Sequence, residues 1–102
     1  MSLDIAILGE NGAPKTYVPL SIDEHGALVQ LAERMTLPLW TRMSDYYADA
    51  NYDVDDVSVL IVETAQLRNA CRDSNIVATL KKIEELLRIA INERLAIFVI
   101  AD

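Results

Sequence analysis

The chain has 102 residues, 52% of them apolar, and a formal net charge of −7. That length holds one domain with a single modest core, and the apolar content excludes a disordered chain. So acidic a domain is a poor direct ligand for nucleic acid, whose phosphates call for Lys and Arg.

The charge is unevenly placed: residues 1–60 hold ten acids against three bases, whereas residues 61–102 hold six of each. The whole imbalance lies in the first part of the chain, and a basic partner is its electrostatic complement. No uncharged run approaches the length of a membrane span. The opening MSLDIAIL has no basic region ahead of its apolar run, so it does not resemble a signal peptide. The one cysteine, Cys71, cannot form an internal disulfide. Together these point to a cytoplasmic protein.

Leu3 to Leu8 alternates as a strand, with Leu3, Ile5 and Ile7 on one face. Gly9-Glu10-Asn11-Gly12 suits a hairpin turn, and Lys15 to Leu20 returns as a second strand. Pro19 cannot donate to a ladder, which places this strand at a sheet edge. Gly9 to Gly12 lacks the lysine and following helix of a phosphate loop. Ser21 and Glu24 then form a capping box that opens a helix to about Met35, with Leu28, Leu31, Ala32 and Met35 inward. His25, the only histidine, falls in the first turn and is expected at the surface or in a cap. No Cys or His cluster gives it metal-ligand spacing.

Leu37 to Asp56 is the distinctive stretch, holding four of six aromatic residues and five carboxylates against one cation, Arg42. Pro38 breaks the preceding helix, and the spacing predicts a short helix over 39–51. Trp40, Met43 and Tyr47 would share its inward face, leaving Tyr46 and Tyr52 more exposed. Asp49, Asn51, Asp53 and Asp55 match the first ligand positions of a calcium loop. Val54 then stands where that loop needs Gly, and Leu60 where it needs Glu, so no calcium binding is expected. Asp53, Asp55 and Asp56 instead suit the cap and first turn of the next helix.

That helix runs from about Val54 to Arg72, with Val57, Leu60, Ile61, Thr64, Leu67 and Cys71 in its buried stripe. Asp73-Ser74-Asn75 is a turn. A further helix from about Ile76 to Glu93 buries Ile76, Leu80, Ile83, Leu87 and Ala90 and exposes Lys81, Lys82, Glu84, Glu85 and Arg88. Leu95 to Ala101 is apolar on both faces and rich in β-branched residues, as befits a buried strand. The fold expected is α+β: an N-terminal β-hairpin, three to four helices, and a C-terminal strand paired beside the first, with helices over one face.

An acidic domain of this length opening LDIAIL, with DEHG at 23–26, LPLWTRMSDYY at 37–47 and a helical C-terminal half, resembles bacterial immunity proteins. These protect cells from contact-dependent growth-inhibition and other polymorphic toxins. The resemblance implies a non-enzymatic inhibitor without a cofactor or metal, acting in the cytoplasm on a cognate toxin domain, often a nuclease. A basic toxin cleft would be met by acidic, tyrosine-bearing surface, and Asp45, Tyr46, Asp49, Tyr52 and Asp53 are the expected contact residues. A monomer or small homodimer with no membrane or nucleic-acid partner is expected. The alternatives are an oligomerising or regulatory domain whose acidity serves solubility, and a small enzyme using His25 with Asp residues.

Overall fold

The computed structural model describes residues 3–101, and the fold is α+β. Strands β1 (Leu3–Leu8) and β2 (Pro14–Leu20) form the hairpin, followed by helix α1 (Ile22–Met35) and the single turn α2 (Pro38–Thr41). A three-residue strand β3 (Ala50–Tyr52), long helices α3 (Val54–Ala70) and α4 (Ser74–Glu93), and strand β4 (Ile97–Ala101) complete the chain. The four strands form one antiparallel sheet in the order β2-β1-β4-β3. β4 therefore pairs beside β1, as the sequence predicts, and also accepts β3, which the sequence pattern does not reveal.

The sheet has one covered face. Leu3, Ile5, Ile7, Val18, Leu20, Tyr52, Ile97 and Val99 share a single core with residues from all four helices. Among the described residues, the other face contributes nothing to that core. Both edges are blunted: β2 carries Pro14 and Pro19, and β3 is only three residues long. β4 is central, with residues 98–101 paired to β1 and residues 97–99 to β3; Ile97 and Val99 are buried while Phe98 and Ile100 are half-buried.

Local chemistry sets the helix boundaries. Ser21 Oγ accepts from the Glu24 amide at 3.1 Å, and Glu24 Oε1 accepts from the Ser21 amide at 3.0 Å, so the predicted capping box is present. α1 ends at Thr36, which takes a left-handed conformation (φ 57°), and the Leu37 amide turns back to the Ala32 carbonyl at 2.9 Å. Asp53 caps α3 by accepting from the Asp56 amide at 2.8 Å, and Asp73 caps α4 through the Asn75 and Ile76 amides.

Three expectations about the helices need correction. Glu84 is not on a solvated face: it is buried between α3 and α4, where Arg68 Nε donates to it at 2.6 Å. Cys71 follows the last turn of α3 and is half-buried at the rim of the core. His25 lies within the fold, 4% exposed, beside Leu28, Val29 and Ala32 on the inward stripe of α1.

Candidate functional site

The segment from Leu37 to Asp56 divides into an inward and an outward half. Its helix stops at Thr41 and does not continue to residue 51. Past that point side-chain chemistry favours turns. The Asp45 carboxylate accepts from the Tyr47 amide at 2.9 Å, and the Ala48 amide donates to the Asp45 carbonyl at 3.2 Å. Such a local bond competes with helix propagation. Ala50–Tyr52 then pairs with β4, Ala50 opposite Val99 and Tyr52 opposite Ile97.

The inward half is held by buried polar contacts with α3. Glu63, 4% exposed, accepts from the Leu39 amide at 3.2 Å and the Trp40 amide at 2.9 Å. These are donors at the start of α2 that have no partner within the helix, and the carboxylate satisfies both. Trp40 is fully buried, and its indole N–H donates to Thr64 Oγ1 at 3.0 Å. The Tyr52 hydroxyl donates to the Leu39 carbonyl at 2.6 Å, and the Arg42 guanidinium lies 5.0 Å from the centre of its ring. Burial pushes the Tyr52 phenol well above its usual range, which keeps it protonated as that donor. Arg42 also donates to the Asn51 carbonyl and to Asp56, and its hydrogen bond holds the Asp56 carboxyl below the usual range.

Tyr46 and His25 close the other side. The Tyr46 hydroxyl donates to the Leu20 carbonyl at 3.2 Å, and its ring meets His25 edge-on at 5.1 Å between centroids. His25 Nε2 lies 2.7 Å from the Met43 carbonyl. A carbonyl can only accept, so Nε2 bears the proton in this contact. The imidazole ties α1 to the segment, which differs from the surface or capping role expected of it.

Of the five predicted contact residues, Tyr46 and Tyr52 are therefore corrected: both are buried, at 8% and 0% exposure, and serve the core. Tyr47, expected inward, is 63% exposed. The reversal follows from the helix ending early, because a phase extrapolated from Trp40 and Met43 no longer applies at residue 47. Asp45, Asp49 and Asp53 are exposed as expected. Each also holds main chain in place: Asp45 at the Tyr47 amide, Asp53 at the Asp56 amide, and Asp49 at the Ala101 amide, 2.8 Å away at the end of β4.

The outward half is thus a short turn with an exposed phenol between Asp45 and Asp49, followed by Asp53 and Asp55 at the start of α3. The Tyr47 ring stands edge-on to Tyr46, 5.5 Å between centroids and 89° between planes, so its inner side rests on a buried neighbour. This arrangement offers rigid aromatic contact area and negative charge. Among the described residues, no three His, Cys, Asp or Glu side chains converge to hold a metal ion, and no helix is long and apolar enough to cross a membrane. No family model matches the chain, and neither curated proteins nor solved structures give a significant match.

Proposed function

We propose that this protein is an immunity-type inhibitor: a non-enzymatic cytoplasmic protein that neutralises a cognate basic toxin domain by occupying its substrate cleft. The observation that carries the reading is Tyr47, 63% exposed between Asp45 and Asp49, in the part of the chain that holds all the excess negative charge. Aromatic side chains with little freedom to lose are favoured anchors at protein interfaces, and surrounding carboxylates steer a basic partner into contact. A nuclease domain, whose cleft must present Lys or Arg to phosphates, is the partner class this chemistry suits. The contact set is then Asp45, Tyr47, Asp49 and Asp53, with Tyr46 and Tyr52 supporting from within.

The first test is genomic: a gene for a toxin-like domain is expected beside this one, and that domain is the partner to assay. Co-expression should protect cells, and the purified domain should associate with this protein at a rate that falls as salt is added. Changing Asp45, Asp49 and Asp53 together to Asn removes three charges yet keeps a side-chain oxygen for each main-chain bond. The triple variant should therefore stay folded, associate more slowly, and show a shallower salt dependence. Undiminished protection and association by the folded variant would place the inhibitory surface elsewhere.

A further inference from the structure

Among the described residues no helix covers the sheet's second face, and its chemistry is not that of a solvated surface. Cross-strand register places Tyr17, Ala6, Phe98 and Asn51 in one row, and Pro19, Asp4 and Ile100 in the next. An antiparallel sheet with one wet face normally alternates apolar inward and polar outward. Here β1 and β4 set Ala6, Leu8, Phe98 and Ile100 outward, and Tyr17 from β2 is 54% exposed. Ala6 is fully buried, although it lies outside the helix-covered core. Leu8, Phe98 and Ile100 also line a shallow depression of ≈ 370 Å³ that reaches Asp49 and Asn51. The apolar face is thereby continuous with the acidic turn around Tyr47.

We propose that this open sheet face, from Tyr17 across Phe98 to the depression at Asp49, docks a protein segment carrying Lys or Arg beside apolar side chains. The proposal rests on the reading above that the partner is basic, and it extends the contact surface from the Tyr47 turn onto the sheet. A long basic side chain matches the depression: its aliphatic stem can lie on Leu8, Phe98 and Ile100 while its charged end meets Asp49.

A second copy of the chain fits less well, for two reasons. Four short strands about 4.8 Å apart, rising about 3.3 Å per residue, span on the order of 300 Å². A stable interface takes roughly 800 Å² from each partner, so two stacked faces fall well short. Each copy would also bring a net charge of −7 and the Asp49 carboxylate to the interface. A basic partner reverses the second objection, and by engaging the Tyr47 turn as well it relieves the first.

The experiment titrates the isotope-labelled full chain with a hexapeptide of alternating Arg and Leu and, separately, with its Gln-Leu counterpart, following shifts by NMR. Saturable shifts should centre on Leu8, Phe98 and Ile100, with affinity for the cationic peptide at least about tenfold higher. Phe98→Ser or Ile100→Ser, whichever melts as wild type, should weaken the cationic peptide by about tenfold, the scale of an interface anchor. Shifts confined to residues 45–56 would overturn the docking face and leave the basic-partner reading intact. Equal binding of both peptides, or none of either, would overturn the docking face too. Shifts at Phe98 and Ile100 that grow with protein concentration alone would identify a second copy as the occupant and overturn the proposal. The docking face stands or falls on these shifts, whereas toxin protection judges the inhibitor reading separately.

Discussion

Trp40 and Tyr47 lie seven residues apart in one aromatic, acidic segment, and they have opposite fates. Trp40 is fully enclosed and fixed through Glu63 and Thr64 of α3; Tyr47 is 63% exposed and fixed by only one neighbouring carboxylate and one neighbouring ring. The difference lies in where hydrogen-bond partners come from. The inward half finds them 23 or 24 residues away on another helix, so it is anchored to the fold. Around Tyr47 they lie two or three residues away, which shapes a turn and leaves its phenol facing solvent, while Asp49 ties the end of that turn to the Ala101 amide of β4. An interface built on such a turn can vary in sequence without disturbing the core, because the two halves rely on different partners.

The sharpest way to break this comparison is to remove the anchor. Glu63→Ala would strand the Leu39 and Trp40 amides in a buried setting, and a loss of about 3 kcal/mol is expected. Urea denaturation followed by fluorescence of Trp40, the only tryptophan, measures it directly. Glu63→Gln retains one good acceptor and should lose less. If Glu63→Ala lost under about 1 kcal/mol, the anchoring assigned to that carboxylate would be wrong.

How much of this was visible in the sequence follows the same divide between near and distant partners. The Ser21–Glu24 capping box, the Asp53 cap, the hairpin and the pairing of β4 with β1 rest on spacing or alternation, and the structure has all of them. Glu63 gave no sequence cue, because a carboxylate on a helix reads as solvated unless its distant partners are known. Tyr46 and Tyr47 are adjacent, so a single break in helical phase exchanges their environments, and the Asp45 turn supplies that break. Tyr52 carries no such cue, because β3 has too few residues to show a period. Tyr47 was recoverable in principle: an Asp two residues before it can form the local turn that ends a helix.

A smaller effect sharpens the other side of the comparison. Tyr47→Ala should leave stability within about 0.5 kcal/mol of wild type, as expected for a surface side chain. In complex with the toxin-like domain, the same change should cost about 1–2 kcal/mol, mainly through faster dissociation. Thermal melts and surface-plasmon-resonance dissociation rates report the two quantities separately. A large loss of stability with unchanged dissociation would make Tyr47 a scaffold residue like Tyr46.

The smallest expected effect concerns a third polar contact, which joins α1 to α4. Glu24 Oε2 accepts from the Thr79 hydroxyl at 2.6 Å while Oε1 serves the capping box. Partial burial raises its carboxyl, but the hydrogen bonds from Thr79 and Ser21 and the nearby Lys82 charge outweigh burial, so its pKa is lowered from 4.5. A carboxyl depressed in the folded state stabilises the fold fully above its unfolded value. That contribution fades as pH falls through the lower, folded value. Wild type should therefore exceed Glu24→Gln in stability by about 1 kcal/mol or less near neutrality. The gap should narrow on acidification below about pH 4.5, where the unfolded carboxyl begins to take up its proton. Paired thermal melts between pH 6 and pH 3 trace that gap, and the ratio of the two slopes matters more than either midpoint. A gap that widened on acidification would mean that burial, and not the Thr79 and Ser21 contacts, governs Glu24.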